Sequence, residues 1–298
     1  MGREMEPSFK RIVIKDVNPL SGVVKTRVLH VPNDALKKKQ RMLLRELIRE
    51  VFRTGLAKRI TEFATGCFPG CSPMKSVLRH KGNTHFYIID IKDAYSSVDI
   101  EKMINILSLI FGYKEKQEIK DFLETYCFAD GGLMTGSCIS PLLFNIYCYY
   151  EIDVFIYEKI LKDHPDIVYT RYLDDLCFSS RKPSFSRRLR KKIREIIYAA
   201  GFQINHKKSA LLTLEKGPIF INGIGIRQDW TLFLPRRILN KIRGLIHLSL
   251  SRRARDVWKK VEGYVAFFKY ITKSRPKTQT EKKLLKLYYK AKPIFSVS

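Results

Sequence analysis

The sequence predicts an α+β fold in which helices pack behind an antiparallel sheet. Hydrophobic residues make up 45% of the 298 residues, which is enough to bury a sizeable core. Short apolar runs of strand length alternate with longer segments in which apolar residues recur with the 3.6-residue period of a helix. Residues 167–180 read as two strands about a tight turn at Asp174–Asp175, which is typical of an antiparallel hairpin.

The individual elements follow from local signals along the chain. A strand is predicted where an apolar run is bounded by turn-forming residues, and a helix where a capping residue precedes an apolar 3.6-residue period. The predicted strands cover 10–14, 26–31, 86–89, 167–180, 208–212 and 219–226, with a turn at 18–22 and a loop at 66–73. The predicted helices begin with one capped by Asn33 or Asp34 and continue over 100–110, 115–126, 140–160, 185–200 and much of 231–298.

The charge balance indicates a polyanionic partner. There are 56 Lys and Arg residues against 29 Asp and Glu, a net charge of +27, which argues against an ordinary acidic cytosolic metabolic enzyme and favours a nucleic-acid-binding protein. No run of about 18 apolar residues could span a bilayer, so we expect no membrane association. The six cysteines show no zinc spacing and are expected to be buried thiols in a reducing cytoplasm.

Acidic residues at predicted strand ends are unusual in so basic a chain. Asp90 follows the apolar run 86–89, and Asp174 and Asp175 occupy the turn of the later hairpin. Adjacent carboxylates repel one another, so a cation or solvent must compensate them. A solvated turn is one interpretation. If strand pairing brings Asp90 alongside, however, the three carboxylates form an oxygen site suited to Mg²⁺ and to phosphoryl transfer.

Five segments occur in the order found in reverse transcriptases, and the chain resembles that family over nearly its whole length. YLDD at 172–175 resembles the polymerase signature, and FYIIDIKDAYSSVD at 86–99 resembles the first palm motif. The others are GLMTGSCISPLLFN at 132–145, GFQINHKKSALL at 201–212 and FINGIGI at 220–226, which is similar to the primer-grip turn. The resemblance implies an RNA-directed DNA polymerase with a right-hand fold: fingers at 1–85, palm at 86–230 and a basic helical thumb at 231–298.

Within the superfamily, the chain looks most like bacterial retron and group II intron-type enzymes. KTRVLHVP at 25–32 fits their early Arg-x-x-x-x-Pro strand, and KKVEGYVAFFKYI at 259–271 resembles their thumb helix. SVLRH at 76–80 keeps only the His of the retron Asn-Ala-x-x-His element, and 221–223 keeps only the Gly of Val-Thr-Gly. A related defence-associated or unclassified bacterial branch fits these departures as well as the retrons do.

The resemblance also implies a set of site residues. Asp90, Asp174 and Asp175, with Ile91 beside them, would hold two Mg²⁺ ions, with Mn²⁺ as an alternative. Lys208 fits a general acid, and Tyr95 fits a gate against the ribose 2′-hydroxyl, although it could equally be a core tyrosine. Lys15 and Arg27 would hold the dNTP triphosphate, with Lys10 or Lys25 as substitutes for Lys15 and a solvated face as the alternative. Thr135, Gly136 and Ser137 would approach the nucleotide, but Thr135 stands where the family has Gln.

The expected partners are an RNA template (a structured noncoding RNA in a retron-like or anti-phage system), the DNA product, dNTPs and an effector protein. His80 has either a structural role or an RNA contact. The tail from residue 231 carries 18 Lys and Arg against three acids, and its cations, including Arg252, Arg253, Lys259 and Lys260, would contact phosphates, with a solvated surface as the alternative. Two alternatives stay open: template-independent or protein-primed DNA synthesis, and a catalytically silent RNA-binding scaffold.

Overall fold

The computed structural model describes residues 6–17, 24–112 and 116–296, and the side chains in these ranges except those of 16, 17, 24, 25, 27 and 296. The chain begins with an antiparallel hairpin of β1 (Phe9–Val17) and β2 (Val24–Pro32). The predicted turn at 18–22 lies outside the described residues. Asn33 caps the following helix α1 (Asp34–Arg53), and its side chain accepts a hydrogen bond from the Leu36 N–H at 2.8 Å.

The chain then passes into a five-stranded sheet and the helices behind it. Helices α2 (Leu56–Thr61) and α3 (Pro73–Arg79) precede the central strand β3 (His85–Lys92). Asp99 caps the next helix by accepting from the Lys102 N–H at 2.8 Å. The following elements are α4 (Ile100–Phe111), α5 (Lys116–Tyr126) and the short strands β4 (Phe128–Ala129) and β5 (Gly132–Leu133).

The buried helix predicted over 140–160 is present, but it is not uniformly α-helical. It begins as α6 (Ser140–Cys148), passes through a π-helical stretch (Tyr149–Asp153), continues as α7 (Val154–Ile156) and ends in a second π-helical stretch (Tyr157–Leu161). Each π-helical turn holds an extra residue and so changes which side chains face inward. Asp153, the last residue of the first π-helical stretch, is fully buried.

The remaining strands complete the sheet in the order β6-β7-β3-β8, with β9 also paired to β3. The hairpin predicted over 167–180 is present, although its turn lies at Leu173–Asp174 and Asp175 already begins the second strand. The elements are β6 (Val168–Tyr172), β7 (Asp175–Ser180), α8 (Arg187–Ala199), β8 (Gln203–Ile204), β9 (Ala210–Thr213), β10 (Ile219–Ile221), β11 (Ile224–Ile226) and β12 (Leu232–Phe233).

Three helices follow, as the composition change at 231 predicts: α9 (Arg236–Arg252), α10 (Arg255–Ile271) and α11 (Gln279–Ser296). Their apolar faces, including Val261, Val265 and Phe268, form one core with β10–β12 and one face of the main sheet. The other face of that sheet packs against the helices between α1 and α8. No helix in the described part of the chain is long and apolar enough to cross a membrane.

The cysteines only partly match the expectation of buried thiols. Cys127, Cys148 and Cys177 are buried, but Cys67 and Cys138 are exposed and Cys71 is partly exposed. The expectation fails because Cys67 and Cys138 lie in loops, where the neighbouring apolar residues do not cover them.

Candidate active site

Antiparallel pairing brings the predicted carboxylates to one place. Asp90 near the end of β3 lies directly opposite Asp175 at the start of β7. Asp174 occupies the preceding turn, where its carbonyl accepts a hydrogen bond from the Ile91 N–H at 3.0 Å. The turn is tight because Leu173 adopts a left-handed backbone with φ of 54°. Thus Asp90 lies beside two acids that follow it by more than 80 positions in sequence, at one end of the paired strands.

The loop between β8 and β9 closes around Asp90 from the other side. The Asn205 N–H donates to the Asp90 carbonyl at 2.8 Å, and the Asp90 N–H donates to the Ser209 hydroxyl at 3.2 Å. The Lys208 ammonium forms an ion pair with the Asp90 carboxylate, which is itself almost fully buried. The predicted motif around Lys208 therefore contacts the predicted motif around Asp90 directly.

Burial and neighbouring negative charge make the site favourable for a cation. Burial, together with the negative charges of the Asp174 and Asp90 carboxylates, raises the pKa of the Asp175 carboxyl to about 6. Among the described residues, no three His, Cys, Asp or Glu side chains stand together as a ready metal cluster. Nevertheless, the oxygen donors fit Mg²⁺, and the Lys208 ammonium shows that a positive group is accommodated against Asp90.

Two cavities meet at Asp90 and Lys208. The larger, of about 840 Å³, lies between the β1–β2 hairpin and the palm motifs and is lined by Asp174 and Tyr95. The smaller, of about 610 Å³, is lined by Asp175 and by the turn at 222–223 between β10 and β11. The adjacent residues Asp174 and Asp175 therefore line different cavities.

Tyr95 lies on the wall of the larger cavity. Its ring is half-buried and packs edge-to-face on Phe144 with centroids 5.2 Å apart. Burial is the main cause that raises the pKa of its phenol, so the hydroxyl stays protonated. The Tyr95 carbonyl accepts from the Leu133 N–H at 2.9 Å. The ring is thus held rigidly at the cavity.

The loop at 135–137 contacts the fingers hairpin. The Thr135 hydroxyl donates to the Val28 carbonyl at 2.7 Å, and a Cβ at Gly136 would collide with the His30 carbonyl oxygen. Ser137 is buried, and its hydroxyl accepts from the Ile139 N–H at 3.4 Å near the start of α6. Of these three residues, Thr135 lines the larger cavity.

Of the two residues predicted to hold the triphosphate, the structure describes the side chain of Lys15 but not that of Arg27. Lys15 is exposed and pairs with Thr26, a residue of the larger cavity wall, so both lie on the same face of the hairpin. Arg27 pairs with Ile14, and its side chain lies outside the described residues. Arg11 also lines the cavity, although no motif points to it, and its Nε lies 3.2 Å from Asp130 Oδ2. The register of the hairpin could have identified Arg11. Side chains two positions apart along a strand point to the same face, so Arg11 and Val13 lie on one face of β1.

A buried ion pair lies behind the catalytic turn. The Arg171 guanidinium contacts the Asp153 carboxylate at 2.7 Å, and both side chains are fully buried. Arg171 also donates to the Asn145 side-chain oxygen at 2.9 Å and to the Leu173 carbonyl at 3.4 Å. These residues support the turn that presents Asp174. Sequence reasoning missed them because no local signal shows that Asp153 of this helix packs against Arg171 of β6.

His80 and the predicted thumb cations have contrasting environments. His80 is fully buried between Ser179 and Thr170, with ring nitrogens 2.6 and 2.7 Å from their hydroxyl oxygens. Burial lowers its pKa to about 3, so it is neutral. This environment indicates a structural role and leaves no surface for an RNA contact. The thumb residues Arg252, Arg253, Lys259 and Lys260 are all exposed.

Comparisons with known proteins agree with this geometry. Residues 15–256 match the family described as reverse transcriptase (RNA-dependent DNA polymerase). The retron Ec73 reverse transcriptase of Escherichia coli is 28% identical over 204 residues, covering 63% of each chain. The retron Ec86 reverse transcriptase of Escherichia coli is 24% identical over 247 residues, which is 81% of this chain and 70% of that protein.

A solved structure of apo telomerase from Candida tropicalis matches 99% of this chain and 63% of its own length, with a TM-score of 0.52 and 13% identity. At that identity the likeness concerns the fold alone, and it agrees with the predicted right-hand polymerase fold. The chain spans just under two thirds of the Ec73 protein and of the telomerase chain. Because the family match covers most of the sequence and is accompanied by similarity to retron enzymes, the chain belongs to the reverse transcriptase family, with retron-type relatives.

Proposed function

We propose that the protein is an RNA-directed DNA polymerase that extends a primer by nucleotidyl transfer. The observation that carries the proposal is the pairing of Asp90 with Asp175 across β3 and β7, with Asp174 in the adjoining turn. Two cavities meet at this point, one beside the fingers hairpin and one beside the β10–β11 turn. A nucleotide in the first and a primer end in the second would approach one another at the carboxylates.

The family generally depends on divalent metal ions, and the carboxylate oxygens of Asp90, Asp174 and Asp175 would hold them, with the Ile91 carbonyl as a further donor. Two bound Mg²⁺ ions, or Mn²⁺ ions in their place, would neutralise the negative charge that develops on the phosphate oxygens. The raised pKa of Asp175 is consistent with a carboxylate in need of cationic compensation.

The chain's own residues would perform the remaining tasks. Lys208 would protonate the departing pyrophosphate, and its ammonium is already at the site through Asp90. Tyr95 would exclude the ribose 2′-hydroxyl, because its ring is fixed at the cavity wall. Lys15, Arg27 and Arg11 would bind the triphosphate from the fingers hairpin.

The roles of the neighbouring regions follow from the same assignment. The loop at 135–137 would fix the distance between the β1–β2 hairpin and the bound nucleotide, through the contacts of Thr135 and Gly136 with the hairpin. The fingers would comprise 1–85, the palm 86–230 and the thumb 231–298, with the exposed thumb cations tracking the duplex. We infer that the template is a dedicated noncoding RNA of a retron-like or anti-phage defence system in the cytoplasm, with an effector protein as a further partner. The similarity to two retron enzymes supports the retron-like part of this proposal.

The test uses purified protein with an RNA template and a DNA primer. Asp90→Asn and Asp174→Asn keep side-chain shape but remove a charged ligand, so dNTP incorporation should fall by at least about 10³-fold while RNA binding persists. Asp99→Asn is the matched control, because Asn caps α4 as well as Asp does. Robust synthesis by either of the first two variants would overturn the site assignment.

Sequencing the nucleic acid that copurifies with the protein separates the biological alternatives. DNA complementary to one RNA supports the retron-like role. Untemplated DNA, or DNA attached to a tyrosine or serine hydroxyl, would instead support template-independent or protein-primed synthesis. RNA without DNA, together with no activity in vitro, would support a scaffold.

A further inference from the structure

Helix α8 presents a strongly basic face that the proposed mechanism does not use. Six of its 13 residues are cationic and one, Glu195, is acidic. The cations are Arg187, Arg188, Arg190, Lys191, Lys192 and Arg194. The opposite, apolar face is buried, which fixes the orientation of the cationic one towards the surface.

This arrangement is electrostatically unfavourable in the isolated chain. The first turn of the helix contains no acidic residue, although the partial positive charge of a helix N-terminus favours negatively charged groups there. Arginines and lysines three and four positions apart also repel one another. The two salt bridges of this face, Lys191 with Glu195 and Lys192 with Asp163, are both 3.7 Å long and exposed. In the described part of the chain the four arginines of α8 form no salt bridge. An external anion would relieve this charge.

The basic face lies on the far side of the sheet from the carboxylates. Along β3, Phe86, Ile88 and Asp90 point to one face, towards the core shared with the C-terminal helices. Tyr87 and Ile89 point to the other face and share a core with Leu189 and Ile193 of α8. A primer–template duplex seated at Asp90 is therefore separated from α8 by the thickness of the sheet.

We propose that the basic face of α8 is a second nucleic-acid-binding site, which holds the phosphates of the template RNA outside the catalytic cleft. The helix is about 20 Å long at 1.5 Å per residue, so it can span several consecutive phosphates. RNA is favoured over DNA because the RNA extends beyond the cleft before copying begins, whereas the DNA exists only once it is made. A membrane is disfavoured because Leu189, Ile193, Ile196 and Ile197 are buried and cannot insert into lipid. The inference depends on the proposed function only for the identity of the RNA.

The test compares two ligands without dNTPs or divalent metal. One is a short RNA–DNA hybrid that fills only the cleft, and the other is a long structured RNA that also reaches the back of the sheet. The variant replaces the four exposed cations Arg187, Arg188, Lys191 and Lys192 by Gln. Because it removes positive charge from a helix N-terminus, we expect the fold to be at least as stable as in the parent. The matched control replaces Lys38, Lys39, Arg45 and Arg49, which are exposed on α1, by Gln.

We expect the α8 variant to bind the long RNA at least about tenfold more weakly at low salt, and its log-affinity against log-salt slope to flatten by about 3. Affinity for the short hybrid should stay within about twofold of the parent. Glu195→Gln should strengthen long-RNA binding, since it removes the acid of the face. The inference is overturned if long-RNA binding is unchanged, if the α1 variant loses as much affinity, or if both ligands weaken equally. It is also overturned if the α8 variant loses affinity only for anionic phospholipid vesicles, which are measured as a third ligand. Because these experiments measure binding and not DNA synthesis, they test the α8 site even if the protein proves to have no polymerase activity.

Discussion

Asp174 and Asp175 are adjacent in sequence, yet their side chains line different cavities. Asp175 begins β7 and pairs with Asp90, whereas Asp174 belongs to the turn that Arg171 supports through the Leu173 carbonyl. The two acids thus have different partners and different surroundings. Of the two, Asp175 has a pKa that is raised to about 6 by burial and by the neighbouring carboxylates.

This raised pKa predicts a pH-dependent stability of the metal-free protein. An unfolded aspartate has a pKa near 3.9, whereas the pKa of Asp175 in the folded protein is about 6. The free energy of unfolding should therefore fall as the pH rises from about 4 through 6, because Asp175 must then ionise in the folded state. Asp175→Asn should therefore increase the free energy of unfolding at pH 8 by up to about 3 kcal/mol, and change it little at pH 4. Chemical denaturation in chelator at the two pH values measures the effect.

Asp93→Asn is the control for this prediction, because Asp93 lines the larger cavity but is exposed. Added Mg²⁺ should stabilise the parent at pH 8 more than the Asp175→Asn variant. Equal stabilities of parent and variant at both pH values would contradict the account of Asp175.

The fingers hairpin and the loop at 135–137 form a joint between two elements. Thr135 donates to the Val28 carbonyl, and His30 lies with Nε2 3.1 Å from Asp130 Oδ2. The resemblance implies that the Gln found at this position in the family contacts the nucleotide. Here the shorter Thr135 side chain donates its hydrogen bond to the hairpin instead. The residue that departs from the family pattern therefore connects the β1–β2 hairpin to the loop at 135–137.

Removing this hydrogen bond should weaken nucleotide binding rather than chemistry. Thr135→Val keeps the branched shape but leaves the Val28 carbonyl without its donor, a loss of about 1 kcal/mol. We expect the KM for dNTP to rise by about fivefold with a smaller change in kcat, measured in steady-state incorporation assays. Thr135→Ser retains the hydroxyl and should behave like the parent. A fall in kcat at unchanged KM would instead place Thr135 in the chemical step.

Local sequence signals predicted most helices and strands because each depends on neighbours in the chain. Asn33 and Asp99 cap their helices as short-range chemistry dictates, and the Ser-Pro start of α6 is where the sequence indicates it. The one-residue shift of the 173–174 turn and the π-helical stretches escaped prediction, since both arise from tertiary packing. The pairing of Asp90 with Asp175 was predictable only through the family resemblance, because no local signal says which strands are neighbours.

At the scale of the whole molecule, the positive charge is distributed over several surfaces. The C-terminal helices carry the exposed cations Arg252, Arg253, Lys259 and Lys260 around the end of α9 and the start of α10. Helix α8 carries another group behind the sheet. The net charge of +27 is therefore not spread evenly over the surface, and each cationic surface can be tested separately.

Replacing those four thumb residues by Gln should weaken binding of an RNA–DNA hybrid regardless of its sequence. Each lost phosphate contact should flatten the log-affinity against log-salt slope by about 0.7 to 0.9. Turnover on already bound primer should change less, because phosphate contacts position the duplex. Fluorescence anisotropy across a salt series measures both affinity and slope.

The control variant replaces Lys282, Lys283, Lys286 and Lys290, which are exposed on α11, and removes the same charge. If the two variants lose equal affinity for the hybrid, the general positive charge rather than local contacts explains the binding. If neither variant loses affinity, the four residues around the end of α9 and the start of α10 are a solvated surface.

The buried pair of Arg171 and Asp153 constrains the order in which the protein can assemble. An unpaired guanidinium would be expensive to remove from water, so β6 cannot settle into the interior until the helix bearing Asp153 has docked. The Leu173 carbonyl and the turn beyond it depend on the same arginine. We therefore expect the turn that presents Asp174 to reach its final position only when β6 and the helix bearing Asp153 have packed together. In this way the ion pair would make the geometry of the proposed active site depend on correct packing of the interior.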